Sequence, residues 1–167
     1  TVHITDDSTI RAIATVIKQA STQSAVTKPF GGNQNLTTSA QKFALGAADS
    51  GISSTSYHVV VWQFASGAHS IHIDGANKGS TTSSLTPDAF GKVGNDFAGF
   101  FAEVVAYDGG LSDGVRQKLE GYLAHKWGME DELPSTHSFF QNPAPSGYEN
   151  LEANFTKRPH TDFSLFT

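Results

Sequence analysis

The chain lacks cysteine and has few positive charges. The absence of cysteine excludes disulfides, thiolate metal ligands and a cysteine nucleophile, and it leaves the redox compartment open. There are 11 Lys and Arg residues against 16 Asp and Glu, so the formal charge is −5. Because the basic residues form no cluster, we expect no nucleic-acid partner.

Long apolar runs are also missing. No stretch approaches the roughly 20 apolar residues of a membrane-spanning helix, so we expect no membrane span. No secretory signal opens the chain and residue 1 is Thr, from which we infer a processed chain or a piece of a longer one. The 167 residues suffice for one domain that buries roughly two thirds of its unfolded surface.

The most informative stretch is residues 97–128. Its segment 99–107 is rich in Phe, Val and Ala and predicts a buried strand, which an Asp-Gly-Gly turn ends. A helix is predicted over about 112–127, with Ser112 as N-cap and Gly128 as stop. The spacing predicts an apolar face made by Val115, Leu119, Tyr122 and Leu123, and an exposed polar face made by Arg116, Gln117, Glu120 and Lys126.

Residues 57–64 and 69–74 predict a β-hairpin with a two-residue turn. That register gathers large apolar side chains on one face, through the pairs Phe64 and His69, Trp62 and Ile71, and Val60 and Ile73. The opposite face is half polar and is either a solvated surface or a ligand surface. It carries Tyr57, Val59, Val61, Gln63, Ser70, His72 and Asp74.

The rest of the chain alternates short apolar segments with polar ones. Strands are predicted within 8–17, 28–30, 43–45 and 90–93. The intervening stretches 18–41, 46–56 and 75–84 are rich in Ser, Thr, Asn and Gly and predict loops. Residues 129–145 have no periodicity and contain three prolines, which indicates an extended segment laid along the domain.

One long run carries a family resemblance. The sequence AEVVAYDGGLSDGVRQKLEGYLAHKWGMEDELPSTHSF resembles the C-terminal part of laminin-G-like or concanavalin-A-like jelly-roll domains, of the type common in marine bacterial and bacteriophage proteins. Upstream, SYHVVVWQF, SIHIDGANKG and FGKVGNDFAGF fit the usual order of that family. Two features depart from it: Val115 stands where an acidic residue often completes a capping box, and the opening strands are missing.

The resemblance implies an all-β fold. We expect an antiparallel concanavalin-A-like jelly-roll sandwich over residues 1–145, with the helix of about 112–127 packed at its edge. Residues 146–167 are expected to form an extended C-terminal arm that docks on its own or a neighbouring subunit. The arm has too many large apolar side chains for a free tail, namely Tyr148, Leu151, Phe155, Phe163, Leu165 and Phe166.

Aromatic rings beside amides and carboxylates are typical of sugar sites, since sugar faces stack on rings and hydroxyls need polar partners. The half-polar hairpin face and the loop before residue 97 hold such a set. Our candidate glycan-binding residues are Tyr57, Gln63, His72, Asp74, Asn95 and Asp96. The alternative is a solvated sheet face without a ligand.

A calcium site is a second possibility. The resemblance implies calcium in rim loops, with Asp and Asn oxygens as ligands; the candidates are Asn33, Asp49, Asn95 and Asp96. No D-x-D-x-D loop is present, so the sequence only permits the site. The spacing of His69, His72 and Asp74 is a weak zinc signal, because positions i and i+3 of a strand point to opposite faces.

No catalytic residue is predicted, and we expect that the protein is not an enzyme. The sequence has no G-x-S-x-G elbow, phosphate loop or dinucleotide fingerprint. Glycoside hydrolysis needs two carboxylates flanking the bond, and Glu103 is the only carboxylate in its predicted strand. From strand alternation we expect Glu103 to share a face with Phe101 and Val105. We expect Glu103 to be a structural acceptor, for a loop backbone or for a helix cation such as Arg116 or Lys118.

Two functions remain open. The first is a non-catalytic binding or adhesion module that recognises glycan, as the resemblance implies. The second is a structural protein of a virion or extracellular assembly, such as a capsid decoration or tail-associated domain. In that case the arm would contact other subunits and make an oligomer, through Tyr148, Phe155, Phe163, Leu165 and Phe166. Both functions imply an extracellular or virion-surface location.

Overall fold

The computed structural model describes residues 2–3, 10–20, 29–31, 36–39, 42–45, 48–65, 68–82, 92–94 and 97–140. The early strands are β1 (Val2–His3), β2 (Ala12–Gln19), β3 (Phe30–Gly31), β4 (Leu36–Ser39), β5 (Lys42–Leu45) and β6 (Ala48–Ser53). Those that follow are β7 (His58–Ala65), β8 (Ala68–Ile73), β9 (Ala76–Thr81), β10 (Lys92–Val93) and β11 (Gly99–Tyr107). The helix α1 (Asp113–Lys126) and a 3₁₀ turn (Glu130–Glu132) complete this part of the chain.

The described strands form three antiparallel sheets. The central sheet has the order β11-β2-β7-β8-β9, and two small sheets have the orders β1-β10-β3 and β4-β5-β6. One face of the central sheet packs against the small sheets and the other against α1. The protein is therefore an antiparallel β-sandwich, as the sequence predicts, with one α-helix in the part of the chain that the structure describes.

The hairpin register is confirmed. Trp62 pairs with Ile71, and the pairs on either side follow in step, Phe64 with His69 and Val60 with Ile73. Trp62 is fully buried, and the rings of Phe30 and Phe43 meet it edge-on with centroids at 5.6 Å and 6.3 Å. These aromatic contacts join the central sheet to both small sheets.

Three predicted loops contain strands. β4 lies in 18–41, β6 in 46–56 and β9 in 75–84, so the loop prediction is wrong for these segments. β4 and β6 are the outer strands of their small sheet and β9 is an edge of the central sheet. An outer strand gains its pairing from backbone hydrogen bonds, and none of the β9 side chains is buried, so the sequence of such a strand needs no apolar alternation.

The helix begins at the predicted N-cap, but it packs on a face of the central sheet and not at the predicted edge. Ser112 is the N-cap, and its side chain accepts a hydrogen bond from the Val115 amide at 3.4 Å. Gly128 follows the C-cap with a positive φ of 65°. The helix contacts β2 and β7, which are inner strands, so it covers a face of the central sheet rather than its edge.

The two predicted helix faces need correction. Val115 is 43 % exposed, whereas Arg116 and Glu120 are buried at 6 % and 0 %. The two buried charges pair with each other, since Arg116 Nη1 donates to both carboxylate oxygens of Glu120, at 2.8 Å and 2.7 Å. At 14 residues, and with these charges, the helix is not one that could span a membrane, and no other helix of the described residues is a candidate.

Residues 129–140, which we call the strap, return along the helix. Leu133, His137 and Phe139 are buried, so the segment is laid along the domain as predicted. It is not extended, because residues 130–140 form a 3₁₀ turn and further hydrogen-bonded turns. Phe139 packs so closely on Gly121 that a Cβ there would lie 2.6 Å from the Phe139 Cβ. The strap therefore needs a helix without a side chain at position 121.

A β-bulge shifts the faces of β11. Phe101 pairs with Ile17 and Glu103 with Val16, so Ala102 is the extra residue. Phe101 consequently packs in the core toward the small sheets, and Glu103 lies on the helix side. The expectation that these two residues share a face is wrong. The buried hydroxyl of Thr15 donates to the carbonyl oxygen of Glu103 at 2.6 Å and helps to hold the bulge.

Candidate functional site

The helix side of the central sheet is organised in rows of side chains that run across the strands. Cross-strand partners share a face, so the registers place Tyr107, Ala12, Gln63 and Ser70 in one row and Val105, Ala14, Val61 and His72 in the next. A third row contains Glu103, Val16 and Val59. The helix and the strap lie against these three rows.

A fourth row lies beyond the C-terminal end of the helix. Phe100 pairs with Lys18. Tyr57 precedes His58, whose partner is Ile17, so Tyr57 lies level with Lys18 on the next strand. The row spans two interstrand spacings, about 10 Å, and has the order aromatic, cation, aromatic.

The rings of this row are open to solvent. Phe100 is 53 % exposed and Tyr57 is 44 % exposed, while Trp127, at the C-cap of the helix, is 41 % exposed. The Lys18 ammonium lies 5.3 Å from the centre of the Tyr57 ring, a contact worth about 0.5–1 kcal/mol at an exposed site. Large exposed rings gathered in one place are the usual mark of a binding surface.

Glu103 fixes the position of Trp127 beside the row of Phe100, Lys18 and Tyr57. Its carboxylate accepts hydrogen bonds from the Trp127 indole N–H at 3.0 Å and the Tyr122 hydroxyl at 3.2 Å, and it forms an ion pair with Lys126 at 3.1 Å. Glu103 thus accepts from the helix, but through these three partners and not through Arg116 or Lys118. The hydrogen bond to Glu103, a residue of β11, places the Trp127 indole over that strand.

The same hydrogen bonds set the protonation of two helix residues. Burial raises the pKa of Tyr122, and the Glu103 charge adds to the effect. For Lys126, burial lowers the pKa, but the hydrogen bonds to Tyr122 and Glu103 outweigh it and the net pKa is raised. Lys126 is therefore a cation at neutral pH and neutralises Glu103.

We call Tyr57, Phe100 and Trp127, with Lys18, Glu103 and Lys126 between them, the aromatic patch. Its rings offer apolar faces and its polar groups offer N–H donors and carboxylate oxygens. That combination suits a ligand with alternating apolar faces and hydroxyl groups. It contains no nucleophile beside a base and no second carboxylate, which acyl transfer and glycoside hydrolysis require.

The candidate glycan-binding residues that the structure describes do not share one open surface. Tyr57 is in the aromatic patch. Gln63 donates to the Leu111 carbonyl at 2.8 Å, and Asp74 accepts from the Val59 amide at 2.9 Å and bonds His58 Nδ1 at 2.6 Å. Asn95 and Asp96 lie outside the described residues. For Gln63 and Asp74 the geometry indicates structural roles.

His72 is also not on an open face. It is 7 % exposed and lies in the sheet row that the helix covers, so the expectation of a solvated or ligand-bearing hairpin face is wrong here. Burial lowers the pKa of His72, and the nearby positive charge of Arg116 lowers it further, against the opposing effects of Glu120 and Asp113. His72 is therefore neutral at pH 7.

Between helix, sheet and strap lies a group that we call the buried charge cluster, made of His72, Arg116, Glu120 and His137. His137 accepts from the Phe139 amide through Nδ1 at 3.3 Å, which places the ring proton on Nε2. That Nε2–H donates to Glu120 Oε2 at 3.2 Å. Arg116 also reaches the exposed Asp113 at 3.3 Å. The cluster is closed to ligands and fastens the strap to the helix.

The metal candidates give no cluster within the described part of the chain. Asp49 accepts from the Gly51 amide at 2.8 Å and lies 3.5 Å from Lys42 Nζ, and the described residues contain no group of three His, Asp or Glu side chains that could hold an ion. Asn33, Asn95 and Asp96 lie outside the described residues. Calcium binding stays a prediction.

Comparisons with known proteins locate the fold. No protein-family model matches the chain, and no curated protein matches it. Among solved structures, the chain is similar to domain 4 of AbnA, a GH43 extracellular arabinanase from Geobacillus stearothermophilus, in complex with arabinotriose. The TM-score is 0.50 at 18 % identity, over 71 % of each chain. The likeness shows the fold.

A second similar structure is Trypanosoma rangeli sialidase in complex with sialic acid. The TM-score is 0.51 at 16 % identity, and the match covers 70 % of this chain but 23 % of the sialidase. Both likenesses support the β-sandwich predicted from the sequence. The laminin-G type within that class stays a prediction, because a likeness at this level of identity reaches no further than the fold.

Three residues of the aromatic patch escaped the sequence reasoning: Lys18, Phe100 and Trp127. One signal for Phe100 was present, since two adjacent aromatic residues in a strand must point to opposite faces. Lys18 was read as the start of a loop, although β2 continues to Gln19. Trp127 could not be found, because its place over β11 depends on how the helix crosses the sheet.

Proposed function

We propose that this protein is a non-catalytic carbohydrate-binding module and that glycan binds at the aromatic patch. The observation that carries the proposal is the set of three exposed rings, Tyr57, Phe100 and Trp127, around fixed polar groups. Sugar rings stack on such faces, and their hydroxyls hydrogen-bond to neighbouring charged groups. The aromatic patch is set on a central sheet and a capped helix, so its geometry is preorganised.

The comparisons support this choice of ligand class. The similar arabinanase domain was solved with an oligosaccharide, arabinotriose. A module of this kind would serve adhesion or the targeting of an attached protein, at an extracellular or virion surface. Assembly through residues 146–167 stays a prediction, because the arm lies outside the described residues.

The test is retention on an oligosaccharide array by the full chain and by variants of the aromatic patch. Tyr57→Ala combined with Phe100→Ala removes two exposed rings, and we expect retention at least about tenfold weaker, because stacking faces are lost. Since both rings are exposed, the free energy of unfolding should change by about 1 kcal/mol or less. The matched control is Val115→Ala, which removes an equally exposed apolar side chain at the other end of the helix.

Trp127→Phe supplies a second variant. It keeps a ring at the C-cap but loses the indole N–H that bonds Glu103. Intermediate retention is expected. Retention that is unchanged in both patch variants, with thermal stability also unchanged, would exclude the aromatic patch as the glycan site. No retention of the wild-type chain by any oligosaccharide on the array would exclude the proposed function itself.

A further inference from the structure

We infer that the aromatic patch selects acidic glycans, with Lys18 as the residue that recognises the carboxylate of a uronic acid. This inference rests on the proposed function and adds the substrate class. It starts from the charges around the rings. Lys126 and Glu103 form an ion pair at 3.1 Å and cancel each other, and the ammonium of Lys18 is left over.

Lys18 is poised for a ligand. Among the residues that the structure describes, its ammonium contacts the face of the Tyr57 ring and forms no ion pair. It stands between Phe100 and Tyr57 on neighbouring strands. A sugar stacked on either ring would have its substituents at the level of the ammonium.

Asp74 lies level with Val59 on the same face of the sheet and already has hydrogen-bond partners. Asp74 bonds His58 Nδ1 at 2.6 Å and accepts from the Val59 amide at 2.9 Å. Glu103 accepts from two N–H or O–H donors besides Lys126. The three charged groups of the aromatic patch itself, Lys18 and Lys126 against Glu103, sum to +1, on a chain whose net charge is −5. A positive site on an acidic protein favours an anionic ligand by charge complementarity.

A single-stranded nucleic acid is also anionic and also stacks on aromatic rings. It is disfavoured here, because such binding uses a groove of several basic residues that follows the backbone. The aromatic patch supplies one uncompensated cation, and the chain as a whole repels a polyanion. One isolated charge among rings suits one carboxylate on a sugar.

The experiment compares the binding of oligogalacturonate with that of its methyl ester, two ligands that differ in charge but not in sugar. Glucuronate and mannuronate oligomers are tested in the same way, each as acid and as methyl ester. The full chain is measured by isothermal titration at low salt and at about 0.5 M NaCl. At low salt we expect the acid form of at least one pair to bind about tenfold more tightly than its ester. Salt should shrink this preference, because exposed charges are screened.

Lys18→Gln should bring the affinity for the acid down to that for the ester and leave the affinity for the ester unchanged. Lys18→Arg should keep most of the preference. The control is Lys42→Gln, which makes the same change of charge on β5, on the far side of the central sheet. It should leave both affinities as they are in the wild-type chain.

Other outcomes separate this inference from the proposed function. Equal binding of acid and ester, insensitive to salt and to Lys18→Gln, overturns the acidic specificity and leaves glycan binding standing. Tighter binding of a single-stranded oligonucleotide, such as a dT decamer, than of any uronate oligomer overturns it in favour of a nucleic-acid ligand. If none of the acids or esters binds while neutral oligosaccharides on the array are retained, the inference is also wrong.

Discussion

The two ends of the helix side of the central sheet hold charged groups in opposite ways. In the buried charge cluster, Glu120 accepts hydrogen bonds from Arg116 and His137 at 2.7–3.2 Å, and all three side chains are almost inaccessible to solvent. In the aromatic patch, three rings are exposed, and the half-buried Lys18 lies against one of them without an ion-pair partner among the described residues. Both regions combine charged and aromatic residues, but only the second can exchange water for a ligand.

The contrast shows that coverage by the helix, rather than amino-acid composition, decides which polar and aromatic groups stay accessible to a ligand. His72 and Tyr57 both lie on the same face of one predicted hairpin, and the sequence treats them alike. The helix covers the row that contains His72 and ends before the row of Tyr57. Where the helix lies, polar groups must bond each other because water is excluded, and where it ends they remain free for a partner.

The largest expected effect comes from a substitution in the buried charge cluster. Glu120→Gln keeps the volume of the side chain but removes the charge that faces Arg116 and His137. Removing one partner of a buried ion pair typically costs about 3–5 kcal/mol, because the other charge is left uncompensated. We expect a loss of that size in the free energy of unfolding, measured by urea denaturation at pH 7.

Asp113→Asn is the matched control. It makes the same chemical change at another carboxylate that contacts Arg116, at 3.3 Å, but the Asp113 side chain is 92 % exposed. An exposed pair contributes about 1 kcal/mol or less, and loss of an acid in the first helical turn adds a similar small cost. Equal losses in the two variants would show that the cluster does not depend on burial.

Sequence reasoning reached the hairpin with its register and the strand 99–107, but it missed β4, β6 and β9 and misplaced the faces of the helix. The hairpin pairs and the strand 99–107 were predictable, because strand alternation and turn residues are local signals. The helix faces were not, because Arg116 and Glu120 carry full charges that normally mark the solvent side. Their burial depends on pairing with each other and with His137, which is 17 residues further along.

The candidate site was harder to predict than the fold. Tyr57 was found because the hairpin register placed it on a half-polar face. Phe100 and Lys18 become neighbours only through the pairing of β11 with β2, whose residues are more than 80 positions apart in sequence. The bulge at Ala102 also moves Phe101 out of the face of Glu103, and no local pattern announces it.

A smaller effect tests how tightly the strap closes the covered end. Gly121→Ala places a Cβ about 2.6 Å from the Phe139 Cβ, so the strap must move away from the helix. Overpacking of this kind costs about 1–3 kcal/mol, which outweighs the gain of up to about 1 kcal/mol that alanine brings to a helix. Urea denaturation should show a net loss, and proteolysis within residues 129–140 should become faster.

Gly114→Ala is the control in the same helix. A Cβ at position 114 meets nothing within 4 Å, so this variant should gain several tenths of a kcal/mol from helix propensity alone. A stabilised Gly121→Ala variant would contradict the close packing of the strap. Neither substitution should change glycan retention at the aromatic patch, since both lie in the covered region.

The smallest expected effect is a pH dependence that belongs to the covered end alone. Burial and the Arg116 charge hold the pKa of His72 below its ordinary value of 6.5. In the window between the lowered folded value and 6.5, the unfolded chain binds a proton that the folded chain does not, so stability is full above about pH 6.5 and falls as the pH drops below it. Arg116, Glu120 and Asp113 are the charged groups that act on this imidazole.

His72→Gln isolates the contribution of that one imidazole, because glutamine is polar and does not titrate. Its melting temperature should fall less between pH 7.5 and 5.5 than that of the wild-type chain, whatever its stability at pH 7.5. Parallel curves for the two chains would mean that another group causes the acid sensitivity. Lys18→Gln should follow the wild-type curve, since the charge it removes lies beyond the rows that the helix covers and is not among the groups that act on His72.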